Sequence, residues 1–123
     1  MGLPHKISFD FDETLGESWV QIIAGLLINV CEVWIVTARS AGKNHNRDLY
    51  KIAERLGIPE ERILFTDGAM KWNILNHYGI QVHFDDMAEE ILEINNNTQC
   101  KGILVGLKDT GDLWTLFHNQ NLV

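Results

Sequence analysis

The stretch ISFDFDETLG, residues 7–16, ends an apolar run in three acids, Asp10, Asp12 and Glu13, with Thr14 behind them. Asp10 and Asp12 are two apart, so their carboxylates point the same way if the strand continues. A second acidic pair, Asp85 and Asp86, follows another apolar run. Carboxylates gathered from two strand ends repel unless a cation lies between them or they face open water. Solvation explains one such aspartate well and this set poorly. Two or three protein oxygens suit Mg²⁺, which keeps several waters. Lys71 adds a cation at the start of an expected helix. That end carries partial positive charge, so a lysine there is misplaced unless an anion waits in front of it. The plain alternative is a lysine reaching past the helix end to water. Thr37 and Arg39 end a further apolar run, although a threonine closing a strand is ordinary.

These residues need a scaffold that brings strand ends together. Apolar runs alternate with helix-period segments, the pattern of a parallel α/β sheet. Strands are expected over 6–11, 32–38, 62–66, 80–84 and 101–107. A helix is expected from Ser18, where Ser18 and Gln21 match an S-x-x-Q capping box. Gln21, Gly25 and Asn29 form one narrow polar stripe on it; the rest is apolar and should be buried on more than one side. Self-association through residues 18–30 is the functional alternative for that face. Leu49, Ile52, Ala53 and Leu56 give a second helix, stopped by Gly57. Asp67 is expected to cap a third helix running to Tyr78. A fourth is expected over 87–94, with a turn at 95–97, and a short closing helix over 112–117. Ligands of such sheets bind beyond the carboxyl ends of the strands, which is where the acids, Thr37 and Arg39 fall.

A chain of 123 residues, 46% hydrophobic and 22% charged, is expected to form one domain, residues 1–123. A net charge of −7 argues against broad attraction to nucleic acid or anionic membrane. Residues 19–30 are too short and too interrupted for a membrane span. Cys31 and Cys100 lack metal-ligand spacing and read as buried free thiols, which suits a reducing, cytoplasmic setting. Residues 39–47 form a cationic island with Arg39, Lys43 and Arg47. It either rims the site and contacts substrate or is a solvated loop. His83 reads as a satisfied core residue.

Taken in order, DFDET (10–14), IVTAR (35–39), Lys71 and FDD (84–86) resemble the four motifs of the haloacid dehalogenase-like phosphohydrolases. The resemblance implies a single-domain, Rossmann-like parallel five-stranded sheet, order 5-4-1-2-3, with helices on both faces. It implies Asp10 as nucleophile, forming an aspartyl-phosphate, and Asp12 as the acid that protonates the leaving oxygen and later accepts a proton from water. Such an acid needs a raised pKa, which a neighbouring anionic substrate provides. Mg²⁺ would be held by the Asp10 side chain, the Asp12 backbone carbonyl and Asp85 or Asp86. Asp86 also heads a D-x-x-E capping pattern with Glu89, which puts Asp85 first as direct ligand. Thr37 and Lys71 would hold phosphoryl oxygens, Thr14 would brace the loop, and Thr14, Arg39 and Lys43 lie where substrate binds.

Glu13 stands where this family often has glycine. DFDETL is similar to the form found in phosphatases of the polymerase C-terminal domain. A lysine 14 residues before an Asp-Asp pair is more similar to the nucleotidase and polynucleotide 3′-phosphatase branches. The expected substrate is a phosphomonoester, a nucleotide or phosphorylated nucleic-acid end, with a phosphoprotein as alternative. The short segments between strands leave no room for a cap domain. Two competing readings are a non-catalytic relative that binds without turnover and a phosphoacceptor receiver domain. The receiver order is wrong, because there the acceptor aspartate follows strand three and precedes the Thr and Lys.

Overall fold

The computed structural model describes residues 4–106. Five strands form one sheet in the order β3-β2-β1-β4-β5: β1 (Lys6–Phe9), β2 (Glu32–Thr37), β3 (Ile63–Phe65), β4 (Val82–Asp85) and β5 (Lys101–Leu104). Every pairing is parallel, the expected order read from the other edge. Strand alternation divides the core into two layers. Ile7, Phe9, Val33 and Ile35 face α1 (Ser18–Leu27) and α2 (Arg47–Leu56), meeting Val20, Ala24, Leu49 and Ala53. Trp34 and Val36 face α3 (Trp72–His77) and α4 (Ala88–Asn97), meeting Leu75 and Ile94. Helices therefore cover both faces. Each fully buried aliphatic side chain here stabilises the fold by about 1.5–3 kcal/mol.

Local chemistry sets several ends. Gly57, at φ +85, closes α2 in a left-handed conformation that a side chain disfavours, and the Ile58 N–H returns to the Ala53 carbonyl at 2.8 Å. On the other face α4 approaches β5 so closely that a Cβ on Gly102 would lie 3.4 Å from the Ile91 Cα.

Several expectations need correction. β1 stops at Phe9, and the chain turns at once through a wide loop, Phe11–Leu15. Glu17, not Ser18, caps α1, and no capping side-chain bond forms; Gln21 instead accepts from Arg55. Only Val20 and Ala24 of α1 are buried, while Trp19, Ile22, Ile23, Leu26 and the following Val30 are exposed. Burial on more than one side is not what α1 has. Asp67 does not cap a helix: it sits in a loop at φ +53, and α3 begins only at Trp72 with Lys71 as its N-cap. The asparagines at 95–97 extend α4 rather than turn. β4 is shifted two residues toward Asp85 relative to its expected start. The closing helix expected over 112–117 lies outside the described residues. Among the described residues no domain interrupts the sheet connections, and no helix is long and apolar enough to cross a membrane.

Candidate active site

β1 and β4 are neighbours in the sheet; β4 ends in Asp85, and Asp10 follows β1 directly. The Asp10 N–H donates to the Phe84 carbonyl at 2.8 Å, which sets Asp10 beside Asp85. The loop after it closes through bonds spanning five residues, Leu15 N to Asp10 O at 3.0 Å and Gly16 N to Phe11 O at 2.8 Å. That closure tucks Phe11, Thr14 and Leu15 inward and leaves Asp12 exposed. The loop needs a left-handed residue, and Glu13 takes it at φ +60, where a side chain costs about 1–2 kcal/mol.

Asp10, Asp85 and Asp86 each present a carboxylate oxygen within 4.8 Å of the other two. All three are buried. Lys71, only 2% exposed, places its amine between two of them, 2.7 Å from Asp10 Oδ1 and 2.6 Å from Asp85 Oδ2. These are the anions that its place at a helix start requires. Its backbone N–H donates to the buried Glu90 at 3.1 Å, so α4 supplies the cap that α3 lacks locally.

Asp85 is saturated. Its Oδ2 accepts from Lys71 and pairs with His83 Nε2 at 2.9 Å, and its Oδ1 accepts from Met87 N at 3.0 Å. Burial works against its charge, but His83 and Lys71 outweigh burial and keep its pKa below the usual carboxylate range. Burial also opposes charge on Lys71, and the charges of Asp85 and Asp10 overcome it, leaving its pKa raised. Asp10 is shifted upward, by burial first and then by the Asp85 charge. Asp86 is not a helix cap, because Met87 takes that place. Its side chain turns to the site, where its Oδ1 meets Thr14 Oγ1 at 3.5 Å. Burial and the neighbouring Asp10 push its carboxyl up to about 7. Thr14 is fully buried and reaches Asp10 at 3.4 Å as well, so it braces the carboxylates.

Arg39 ties the rim together. Its Nε and Nη2 bind Asp12 at 2.9 Å and 2.7 Å, and Nη1 and Nη2 bind Asp48 at 2.8 Å and 2.9 Å. Asn46 takes a further contact, and the guanidinium lies 4.9 Å from the Phe11 ring centroid. Asp48 and then Asp12 raise the Arg39 pKa. Asp12 is therefore paired with a cation rather than standing as a lone acid. Thr37 ends β2, buried, with its Oγ1 accepting from Arg39 N at 3.3 Å. Lys43 is not part of this group: it is exposed, bonded to Glu60 at 2.8 Å, and lies over Tyr50. The cationic island is thus divided, with Arg39 at the site and Lys43 solvated. Asp67, the receiver-type acceptor position, is exposed and bonds Ser40.

Residue types alone did not point to Ser8, His83, Asp48 and Glu90 as partners of the site. Ser8 and His83 each precede a site aspartate by two residues, and strand alternation contained that signal. No protein-family model matches the chain, and no curated protein matches it.

Proposed function

We propose that the protein is a Mg²⁺-dependent phosphomonoester hydrolase of the haloacid dehalogenase-like type, with its fold, and that it works through a phosphorylated Asp10. The observation that carries this reading is the convergence of three buried carboxylates within 4.8 Å, with the Lys71 amine bonded to two of them. Three acids against one ammonium leave a local surplus of negative charge that a divalent cation fits. Asp10 and Asp86 have the freer oxygens to hold it, with Asp85 behind them and the Asp12 backbone carbonyl at the loop. When bound, the ion offsets repulsion between Asp10 and the phosphate and polarises the phosphoryl group.

An Asp10 oxygen attacks phosphorus, and the bond from phosphorus to the leaving oxygen breaks. Lys71 neutralises charge on the transferring group. The incoming phosphate draws Arg39 away from Asp12, whose exposed carboxylate then takes a proton from solvent and passes it to the leaving oxygen. Water next attacks the phosphorus on Asp10, Asp12 takes the proton, and phosphate departs with Asp10 restored. Thr37 and Arg39 hold phosphoryl oxygens at the rim.

The exposed Asp12 and the lack of a cap among the described residues suit bulky substrates, a nucleotide or a phosphorylated nucleic-acid end, with phosphoproteins as the alternative. The exposed apolar face of α1 supports self-association, and two free thiols support a cytoplasmic setting. The Arg39–Asp12 clamp favours one competing reading, a module that binds phosphate without turnover. Phosphate release from an aryl phosphate decides between them. Release with Mg²⁺, lost in EDTA and in Asp10→Asn, is expected; no release from aryl, nucleotide, oligonucleotide or phosphopeptide substrates contradicts it.

A further inference from the structure

Behind the carboxylates lies a buried polar chain that the reaction above does not use. Ser8 and His83 sit opposite each other in the β1–β4 register. Each precedes a site aspartate by two residues and so shares its side of the sheet. Ser8 Oγ is 2.6 Å from His83 Nδ1, and His83 Nε2 is 2.9 Å from Asp85 Oδ2. That same oxygen accepts from Lys71 Nζ at 2.6 Å, and Lys71 Nζ reaches Asp10 at 2.7 Å. Ser8, His83 and Asp85 are all 0% exposed. A neutral imidazole has one donor nitrogen and one acceptor. With the Ser8 hydroxyl donating to Nδ1, the proton resides on Nε2 and points at Asp85.

We propose that His83, held in one tautomer by Ser8, is a positioning residue that fixes the Asp85 carboxylate and, through it, the Lys71 amine beside Asp10. The Ser8–His83 bond taken by itself is not what stability calls for, since replacing both of its partners by apolar groups of the same shape is nearly neutral. What an apolar pair cannot do is donate to Asp85. Without that bond Asp85 keeps only its Lys71 and Met87 contacts, so the carboxylate loses one of the three bonds that set its orientation, and the amine bonded to it shifts with it. The inference rests on the phosphatase reading for its kinetic consequence, but not for its geometry.

The test uses the full chain with Ser8→Ala, His83→Gln and His83→Leu. Nitrogen-15 spectra of the wild type should show a neutral His83 ring protonated at Nε2, and a Lys71 ammonium signal that shifts in Ser8→Ala. With an aryl phosphate and Mg²⁺, His83→Leu should lose about 10²-fold in kcat, the scale of a misplaced catalytic group, with KM little changed. His83→Gln, whose amide nitrogen takes the place of Nε2, should recover most of that loss. A ring protonated at Nδ1, an unmoved Lys71 signal, or a His83→Leu enzyme that loses thermal stability but keeps kcat overturns the proposal. If His83→Leu does not fold, Ser8→Ala carries both readouts. If the wild type hydrolyses nothing, the phosphatase reading fails while the two spectra still decide the positioning role.

Discussion

Replacing Lys71 by methionine is the sharpest structural perturbation available. The side chain is 2% exposed and its amine bonds Asp10 at 2.7 Å and Asp85 at 2.6 Å. Methionine fills similar space but leaves two buried carboxylates facing each other. Removing one partner of a buried ion pair costs about 3–5 kcal/mol. With unfolding entropy of about 2.1 cal/mol/K per residue over 123 residues, a loss of about 4 kcal/mol lowers Tm by about 15 °C. Urea unfolding and calorimetry without divalent cation measure it. The account also expects coupling: Lys71→Met with Asp85→Asn should recover about 0.5–3 kcal/mol relative to the sum of the singles. Mg²⁺ should recover part of the Lys71→Met loss, because a second cation then enters the same acid cluster. A Lys71→Met loss below about 1 kcal/mol, the range of exposed pairs, refutes the reasoning.

Three further outcomes follow. Asp86 keeps its proton to about 7 in the fold but only to 3.8 at its ordinary value, so the native state carries the extra proton between these values. Without divalent cation, stability should fall as pH rises from about 4 to 7, and the gain in Tm from Mg²⁺ should be larger at pH 8 than at pH 5; an equal gain at both contradicts the cation seat. Arg39→Lys cannot reproduce four bonds to Asp12 and Asp48, so kcat/KM should fall at least about tenfold, whereas Lys43→Ala, away from the site, should leave it unchanged. Leu26→Glu places a charge on the exposed face of α1; if that face self-associates, sedimentation should show the wild-type assembly dissociating in the variant, and a monomeric wild type removes the idea.

The sheet was legible because five apolar runs separated by helix-period segments admit few parallel arrangements. The meeting of Asp10 and Asp85 followed from reading which residues stand at strand ends, and Lys71 was singled out by its place at a helix start. What the sequence misplaced depends on long-range geometry. Phe11 looks like strand because it is apolar, yet it is buried by a turn whose closing bond runs from Leu15 to Asp10. Asp67 has the type of a helix cap, but Asp67 N and Gly68 N bond the carbonyls of Arg39 and Ala38, and those bonds hold it in a loop. Asp86 and Glu89 spell a capping pattern locally, while the side chain answers to Thr14, 72 residues away in sequence. His83 looked like an ordinary core histidine because its partner Ser8 is 75 residues away, and only the strand register brings them together.

The most direct test of Asp10 as a phosphoryl acceptor in a cation site is binding of beryllofluoride, an acyl-phosphate mimic, followed by fluorine NMR. Bound resonances that require Mg²⁺, persist in Asp12→Asn and vanish in Asp10→Asn are predicted. Their absence in the wild type, or their survival in Asp10→Asn, contradicts the account.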